Sequence, residues 1–386
     1  MLPMLPITQP IQAEEEMVDI EISEGKRART AYSFDDISIV PSRRTREPQD
    51  VSLAWQIDAY KFDLPLLAAP MDSVVSPETA IAIGRLGGLG VLNLEGLWTR
   101  YENPKIQLGE ISSIPAEQAT ARMQELYKAP IRPELIKERI AEIRAAGVTV
   151  AGALSPQRTA EFHKAVIDAG VDLFVIRGTT VSAEHVSAKT EPLNLKKFIY
   201  ELDVPVIVGG CATSQSAQHL MRAGAAGVLV GFGGGAAHTT RQVLGISVPM
   251  ATAVADVAAA RREYLDESGG RYVHVIADGS IGKSGDIAKA IACGADAVML
   301  GSPLARAEEA PGRGWHWGTE AHHVELPRGT RVHVGTSGSL TEILVGPSHS
   351  ADGTMNLFGA LRRAMATCGY SELKEFQRVE IVLNRG

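Results

Sequence analysis

Residues 276–312 read IADGSIGKSGDIAKAIACGADAVMLGSPLARAEEAPG, and the fold turns on this stretch. An apolar run ends in Asp278-Gly279-Ser280. A helix pattern over 284–295 stops at a glycine, and a second apolar run, Ala297–Leu300, begins at once and ends in Gly301-Ser302-Pro303. The runs are short and do not alternate, which suits strands covered on both faces and therefore parallel. The same unit recurs along the chain. Candidate strands are Leu64–Ala68, Leu89–Asn93, Val148–Gly152, Asp172–Ile176, Val204–Val208, Gly227–Val230, Val273–Ala277 and Ala297–Leu300. Helix patterns at 76–88, 214–225 and 284–295 each open on a serine-type N-cap and close on glycine. Eight such β/α units predict an α/β protein, a single-domain TIM (β/α)8 barrel. An open doubly wound sheet would carry G-x-G-x-x-G directly after its first strand. Here that strand is followed by APMDSVVSPE.

Composition agrees with a folded globular chain of 386 residues: 45% hydrophobic and 22% charged. Net charge is −7, so the basic excess of a phosphate-tracking nucleic-acid binder is missing. Three cysteines make no disulfide framework and favour a reducing compartment, hence a cytoplasmic location. No apolar run reaches the roughly 18–20 residues of a membrane span. The first residues, MLPMLPITQPIQAEEE, lack the basic start and cleavage pattern of a signal peptide. Residues 1–30 are expected to be a poorly ordered extension, and 31–386 the barrel. Residues 95–146 interrupt the alternation with two amphipathic helical pieces, expected to pack outside the barrel. Residues 308–338, after strand eight, are rich in Gly, His, Trp and Arg. A long loop on the catalytic face of a barrel suggests a flap.

In this fold the loops after the strands form the working face, and those after strands seven and eight make a common phosphate pocket. Gly279, Gly301 and Ser302 let backbone amides approach an anion, and Asp278 can accept hydrogen bonds from ribose hydroxyls. After strand six, Gly231-Phe232-Gly233-Gly234-Gly235-Ala236-Ala237-His238-Thr239-Thr240 can present carbonyls to a cation or amides to an anion.

With these loops in view, the sequence resembles the IMP dehydrogenase/GMP reductase family. The resembling stretches are YSFDDISIVPSRR (32–44), PLLAAPMDSV (65–74), RLGGLGVLN (85–93), VPVIVGGCAT (204–213), VLVGFGGGAAHTTR (228–241), residues 276–312 and ALRRAMATCG (360–369), in family order. The resemblance implies a TIM barrel, usually a homotetramer, that binds a purine nucleoside 5′-monophosphate (IMP, XMP or GMP) and a nicotinamide cofactor, NAD or NADP. It implies that Asp278 meets the ribose, that Gly279, Ser280, Gly301 and Ser302 cradle the phosphate, and that Met71 lies under the base. Gly231 falls on the cofactor side. Gly233 and Gly235 match carbonyl ligands of a monovalent cation, K+, and Thr240 matches an acid or water-positioning group. No nucleic acid or membrane partner is implied.

The departures bear on chemistry. The family attacks purine C2 with a cysteine in a G-S-x-C-T-T segment, which here reads Gly235-Ala236-Ala237-His238-Thr239-Thr240. Imidazole would form a cationic adduct that departs poorly, whereas thiolate is both nucleophile and leaving group. Strand four ends in Ile176-Arg177 where the family has an aspartate that grips the cofactor ribose, and Gly209-Gly210 replaces Gly-Asn. No tyrosine lies between Tyr272 and Tyr370, so the Arg-Tyr pair of the dehydrogenase flap is missing. For the reductase's Thr–Glu pair the nearest glutamate read from the loop is Glu325. The CBS module of most dehydrogenases is absent, and 95–146 takes its place. The chain is thus similar to short, CBS-free IMP dehydrogenase-related proteins in which histidine replaces the cysteine.

The expected function is nucleotide binding or regulation in purine metabolism, with the cysteine-dependent oxidoreductase step impaired or absent. An active NAD(P)-dependent oxidoreductase on IMP or GMP, using His238, Cys211 or a direct hydride route, is the alternative. A third reading makes His238 a general base beside Thr240 in another class of enzyme. Cys293 and Cys368 read as packing. His316, His322, His323 and His333 have close spacing but no cysteine partner and no H-E-x-x-H pattern, so a solvated or substrate-facing loop is expected rather than zinc. Trp315 and Trp317 are read either as a purine-stacking pair or as flap packing. The Arg-Arg pairs at 43–44, 261–262 and 362–363 read as solvated faces.

Overall fold

The computed structural model describes residues 19–188, 192–232 and 234–384. Eight parallel strands close into a barrel: β1 (Leu66–Ala68), β2 (Leu89–Asn93), β3 (Ala151–Leu154), β4 (Leu173–Arg177), β5 (Val206–Cys211), β6 (Gly227–Val230), β7 (His274–Asp278) and β8 (Ala297–Leu300). Closure is made by β8 on β1, with Val298 opposite Leu66 and Leu300 opposite Ala68. Nearly every strand residue is buried, because helices cover the outer face and neighbouring side chains fill the inner one. All eight strands expected from the sequence are present, with ends shifted by at most a few residues.

The helix signals hold at their stops more than at their starts. Ser76 caps the helix Pro77–Arg85 by accepting from Thr79 N at 3.1 Å. The two other caps lie one residue earlier than expected, at Thr213 and Lys283. Asp286 replaces the missing cap oxygen at Lys283, accepting from the N–H groups of Gly282 and Lys283 at 3.0 Å. Gly224 and Gly294 end their helices at φ +106° and +111°, a conformation only glycine adopts without strain.

Two assignments need correction. The segment 95–146 holds three α-helices, Lys105–Ser113, Ala116–Leu126 and Pro133–Ala145, not two. The last packs between Pro77–Arg85 and Pro156–Asp168, so it is the ordinary crossover from β2 to β3. The two helices before it, with their flanking turns, form the true insertion. Second, Arg261 does not lie on a solvated face. It is buried and donates to Asp296 at 2.8 Å, an aspartate that also takes Tyr272 OH at 2.8 Å and ties β8 to β7 through Val275 N.

Of the expected extension, residues 1–18 lie outside the described residues. Asp19–Ser23 and Lys26–Arg29 pair as a hairpin, and Arg29 contacts Asp256 at 2.5 Å. A second hairpin, Trp55–Ile57 with Tyr60–Phe62, packs into the core, with Ile57 beside Gly227 at the start of β6 and Trp55 against His274 at the start of β7. The 308–338 segment folds over the opposite end. Its short strands Trp315–His316 and Val332–His333 pair antiparallel, and it bridges back to His238 through Gly329. Among the described residues, no helix is long and apolar enough to cross a membrane.

Candidate active site

The loops after β1, β4, β6, β7 and β8 converge beneath the 308–338 flap. They enclose a cavity of about 50 Å³ lined by Met71, Arg177, Thr179, Gly231, Gly235, His238, Thr240, Asp278, Gly301, Ser302, His316 and Glu320, among others. Larger clefts open on either side. One of 570 Å³ runs past Ser280, Arg241 and Ser33–Asp35, and the other, of 630 Å³, past Asn93, Glu95, Ser155 and Arg328. The three share walls. Gly235 and His238 face the first cleft as well as the cavity, and Arg177, Thr179 and Glu320 face the second.

The sequence-derived site residues therefore meet in one place, with exceptions. Met71, Gly231, Gly235, His238, Thr240, Asp278, Gly301 and Ser302 border the cavity. Ser280 borders the 570 Å³ cleft instead, and its Oγ donates to Gly234 O at 2.9 Å, tying the β7 loop to the β6 loop. Ser280 also sits at φ +55°, uncommon for a residue with a side chain. Gly279 lines none of the three spaces. Gly233 lies outside the described residues. The Gly235 carbonyl accepts from His238 N at 3.0 Å, shaping the turn that delivers the histidine.

Two buried pairs organise the cavity. Glu320 Oε2 lies 3.0 Å from His238 Nε2, and both side chains are about nine-tenths buried. Burial opposes the Glu320 charge. The hydrogen bond from His238, with Arg177 behind it, outweighs burial and holds the carboxyl well below the usual range. Thr179 and Thr319 hydroxyls also donate to Glu320, each at 3.2 Å. The second pair is Arg177 with Asp278, at 3.2 Å from both Nε and Nη2 to Oδ2. The expected ribose ligand is thus held by the arginine that ends β4.

Glu320 is the residue that sequence reading missed. The loop glutamate chosen from the sequence, Glu325, is exposed, and its N–H rests on His323 Nδ1 at 3.2 Å. Glu320 follows Trp317-Gly318-Thr319, the segment that dips into the barrel mouth, and only the folded structure shows that it turns inward. His316 was read as solvated or substrate-facing. It is buried against the cavity, with Nδ1 3.1 Å from Ser73 Oγ, and burial with the neighbouring His238 pushes it down to about 3. His322 is lowered likewise to about 3, chiefly by burial, and stacks on Tyr127 with ring centres 3.5 Å apart. Trp317 is fully buried and packs the flap rather than facing a ligand, while Trp315 lies under Arg331 at 3.9 Å.

The cysteines do not supply a nucleophile here. Cys211 is fully buried, burial pushes its thiol up to about 12, and its Sγ approaches Leu229 O at 3.5 Å. Cys293 and Cys368 are buried in helical packing. Among the described residues, no group of three or more His, Cys, Asp or Glu side chains is placed to hold a metal ion.

A closed barrel with its loop-built cavity and flap at the strand C-termini defines a (β/α)8 enzyme-type scaffold. Within that class, the chain belongs to the IMP dehydrogenase/GMP reductase family, whose domain model matches residues 31–323. An uncharacterized oxidoreductase of Mycobacterium leprae is 56% identical, over 95% of this chain and all of the other. The inosine-5′-monophosphate dehydrogenase of Methanocaldococcus jannaschii is 29% identical, over 91% of this chain and 92% of its own. The crystal structure of an IMP dehydrogenase/GMP reductase-like protein from Corynebacterium glutamicum superimposes with a TM-score of 0.91 at 52% identity, covering 95% of this chain and 98% of that one.

Proposed function

We propose that the chain binds a purine nucleoside 5′-monophosphate at the mouth of the barrel and has lost the thiol-dependent redox step of its family. The observation that carries this reading is the convergence of Met71, Asp278, Gly301 and Ser302 on one cavity with His238, where no thiol stands. The phosphate and ribose contacts fall to the loops after β7 and β8, and the base to Met71. Residue 238 then faces C2 of the ring with an imidazole already hydrogen-bonded to a buried carboxylate. That arrangement moves protons and does not favour a covalent adduct.

The cavity itself is too small for a nucleotide, whose binding calls for roughly 300–1,000 Å³. The ligand must therefore draw on a flanking cleft and lift the flap, in which His316 lies against Gly301. It must also take Asp278 from Arg177.

The 630 Å³ cleft has room for part of a dinucleotide, but its charged groups do not suit one. Glu95 is committed to the Ser155 N–H, and the β4 terminus offers a guanidinium where a ribose diol needs acceptors. No redox step is assigned through it. For a monovalent cation the described residues offer the Gly235 carbonyl, already engaged by His238 N–H.

Calorimetric titration with IMP, XMP and GMP tests the reading, with binding of at least one expected. Absorbance assays with IMP plus NAD and with GMP plus NADPH test the second half. Sustained turnover in either would restore the family's oxidoreductase activity to this chain.

A further inference from the structure

Two polar atoms of residues that line the cavity are buried and have no partner among the described residues: His238 Nδ1 and Thr240 Oγ1. Both residues line the same 50 Å³ space, which has room for a few water molecules. The His238 ring is fixed from its other side. Glu320 takes the Nε2 side of the ring, so in the tautomer with its proton on Nε2 the accepting nitrogen is Nδ1. Glu320 is in turn held by two threonine hydroxyls. Space beside Nδ1 depends on Gly235, because a Cβ there would stand 2.8 Å from that nitrogen. A base, a buried carboxylate orienting it, an unpaired hydroxyl and a water-sized space are the parts of a water-activating site.

We infer that His238 Nδ1 and Thr240 Oγ1 hold a water molecule, and that His238 draws a proton from it for a redox-neutral, hydrolytic displacement at the purine ring. This rests on the nucleotide reading above. The substrate class is a purine nucleoside monophosphate bearing an amino group on C2, such as GMP. As the water oxygen bonds to C2, its proton passes to Nδ1. The C2–N bond then breaks, the imidazolium returns that proton to the amine, and ammonia leaves. The water's second proton stays on the ring of the XMP formed or goes to solvent. No hydride moves and no nicotinamide is consumed. His238 is the catalytic residue, Thr240 positions the water, and Glu320 is a positioning residue that acts through His238.

The test incubates the full chain with GMP in ¹⁸O-water without nicotinamide nucleotide. XMP is followed by chromatography, ammonia by a coupled assay and GMP binding by calorimetry. XMP and ammonia in equal amounts, with one ¹⁸O in the XMP, are expected. His238→Gln should lower kcat by about 100-fold or more, the usual share of a general base, with little change in GMP binding. Thr240→Val supplies a second variant of nearly the same shape and should lower kcat in the same sense. Glu320→Gln should lower kcat while KM is retained, a split that a merely structural glutamate would not give. GMP binding without XMP formation overturns this inference and leaves the binding reading standing. Absence of GMP binding overturns this inference, and the binding reading falls with it only if IMP and XMP also fail to bind. Turnover undiminished in both His238→Gln and Thr240→Val overturns the assignment of the water site.

Discussion

Glu320 keeps its charge in a buried place only because His238 and Arg177 stand beside it. Truncating one member of such a pair leaves the other charged and unpaired, which costs more than the pair contributes. His238→Ala should therefore destabilise the fold by about 3 kcal/mol. Adding Glu320→Ala should recover part of that loss, because the two changes are coupled. Urea denaturation of the two single variants and the double variant measures both effects; simple additivity would show that the pair is energetically idle. A second residue-scale effect concerns acid. His316 is held neutral by burial, with its folded pKa at about 3, against an ordinary value of about 6.5. Its contribution is complete above that ordinary value and is lost as pH falls toward 3. By pH 5 the loss is about 2 kcal/mol. Asp72 opposes it. Burial raises that carboxyl to about 6, so its penalty is relieved as pH drops below 6. Glu320, held far below the ordinary carboxylate range, adds almost no slope between pH 7.5 and 5; its contribution is lost only as pH falls below the ordinary value of about 4.3. His322 adds to His316 in sign. The urea midpoint should thus be lower at pH 5 than at pH 7.5. In His316→Gln that difference should shrink markedly.

At the scale of elements, the insertion and the flap depend on each other. Tyr127, just past the helix Ala116–Leu126, donates to Asp72 Oδ2 at 2.6 Å and accepts from Trp317 Nε1 at 3.0 Å. Gln124 on the same helix donates to His323 O at 2.8 Å, and Arg331 of the flap reaches back to Ile111 O. The insertion therefore clamps the flap that carries Glu320 to His238. Tyr127→Phe would leave the Trp317 N–H without its partner in a buried place and Asp72 Oδ2 with only the Leu97 N–H, at a cost of about 1–3 kcal/mol. Hydrogen exchange should quicken in residues 315–322, and unchanged exchange there would show that the clamp is not needed. None of this was legible in the sequence. The helix Ala116–Leu126 announces itself by apolar periodicity, which Lys105–Ser113 lacks, but periodicity does not say what lies across from a helix. The helix Pro133–Ala145 was grouped with the insertion because only spatial packing marks it as a barrel crossover. Glu325 was preferred to Glu320 for the same reason: a loop without periodicity gives no hint of which residue turns inward.

At the scale of the whole molecule the reading from sequence went much further. Short apolar strands and glycine-terminated helices are local signals, and eight in succession leave one economical closure, so the barrel was legible before its geometry was known. The gathering of Met71, His238, Thr240, Asp278, Gly301 and Ser302 followed from that closure, since strand ends in a barrel share one rim. What the sequence withheld was that the rim is covered, with Arg177 on Asp278 and His316 against Gly301. A ligand that needs those groups must open the molecule in order to bind, and its binding energy then appears as stability of a rearranged native state. With nucleotide at 100 times its Kd, the unfolding free energy should rise by about 2.7 kcal/mol. Amide exchange in the flap should change in the same titration, at the same midpoint. Arg177→Leu removes the competitor for Asp278, so this variant should bind nucleotide more tightly while being less stable without it. Tighter binding and lower stability in one variant would show the arginine acting as an internal occupant of the site. Weaker binding would instead make Arg177 a contact to the ligand itself.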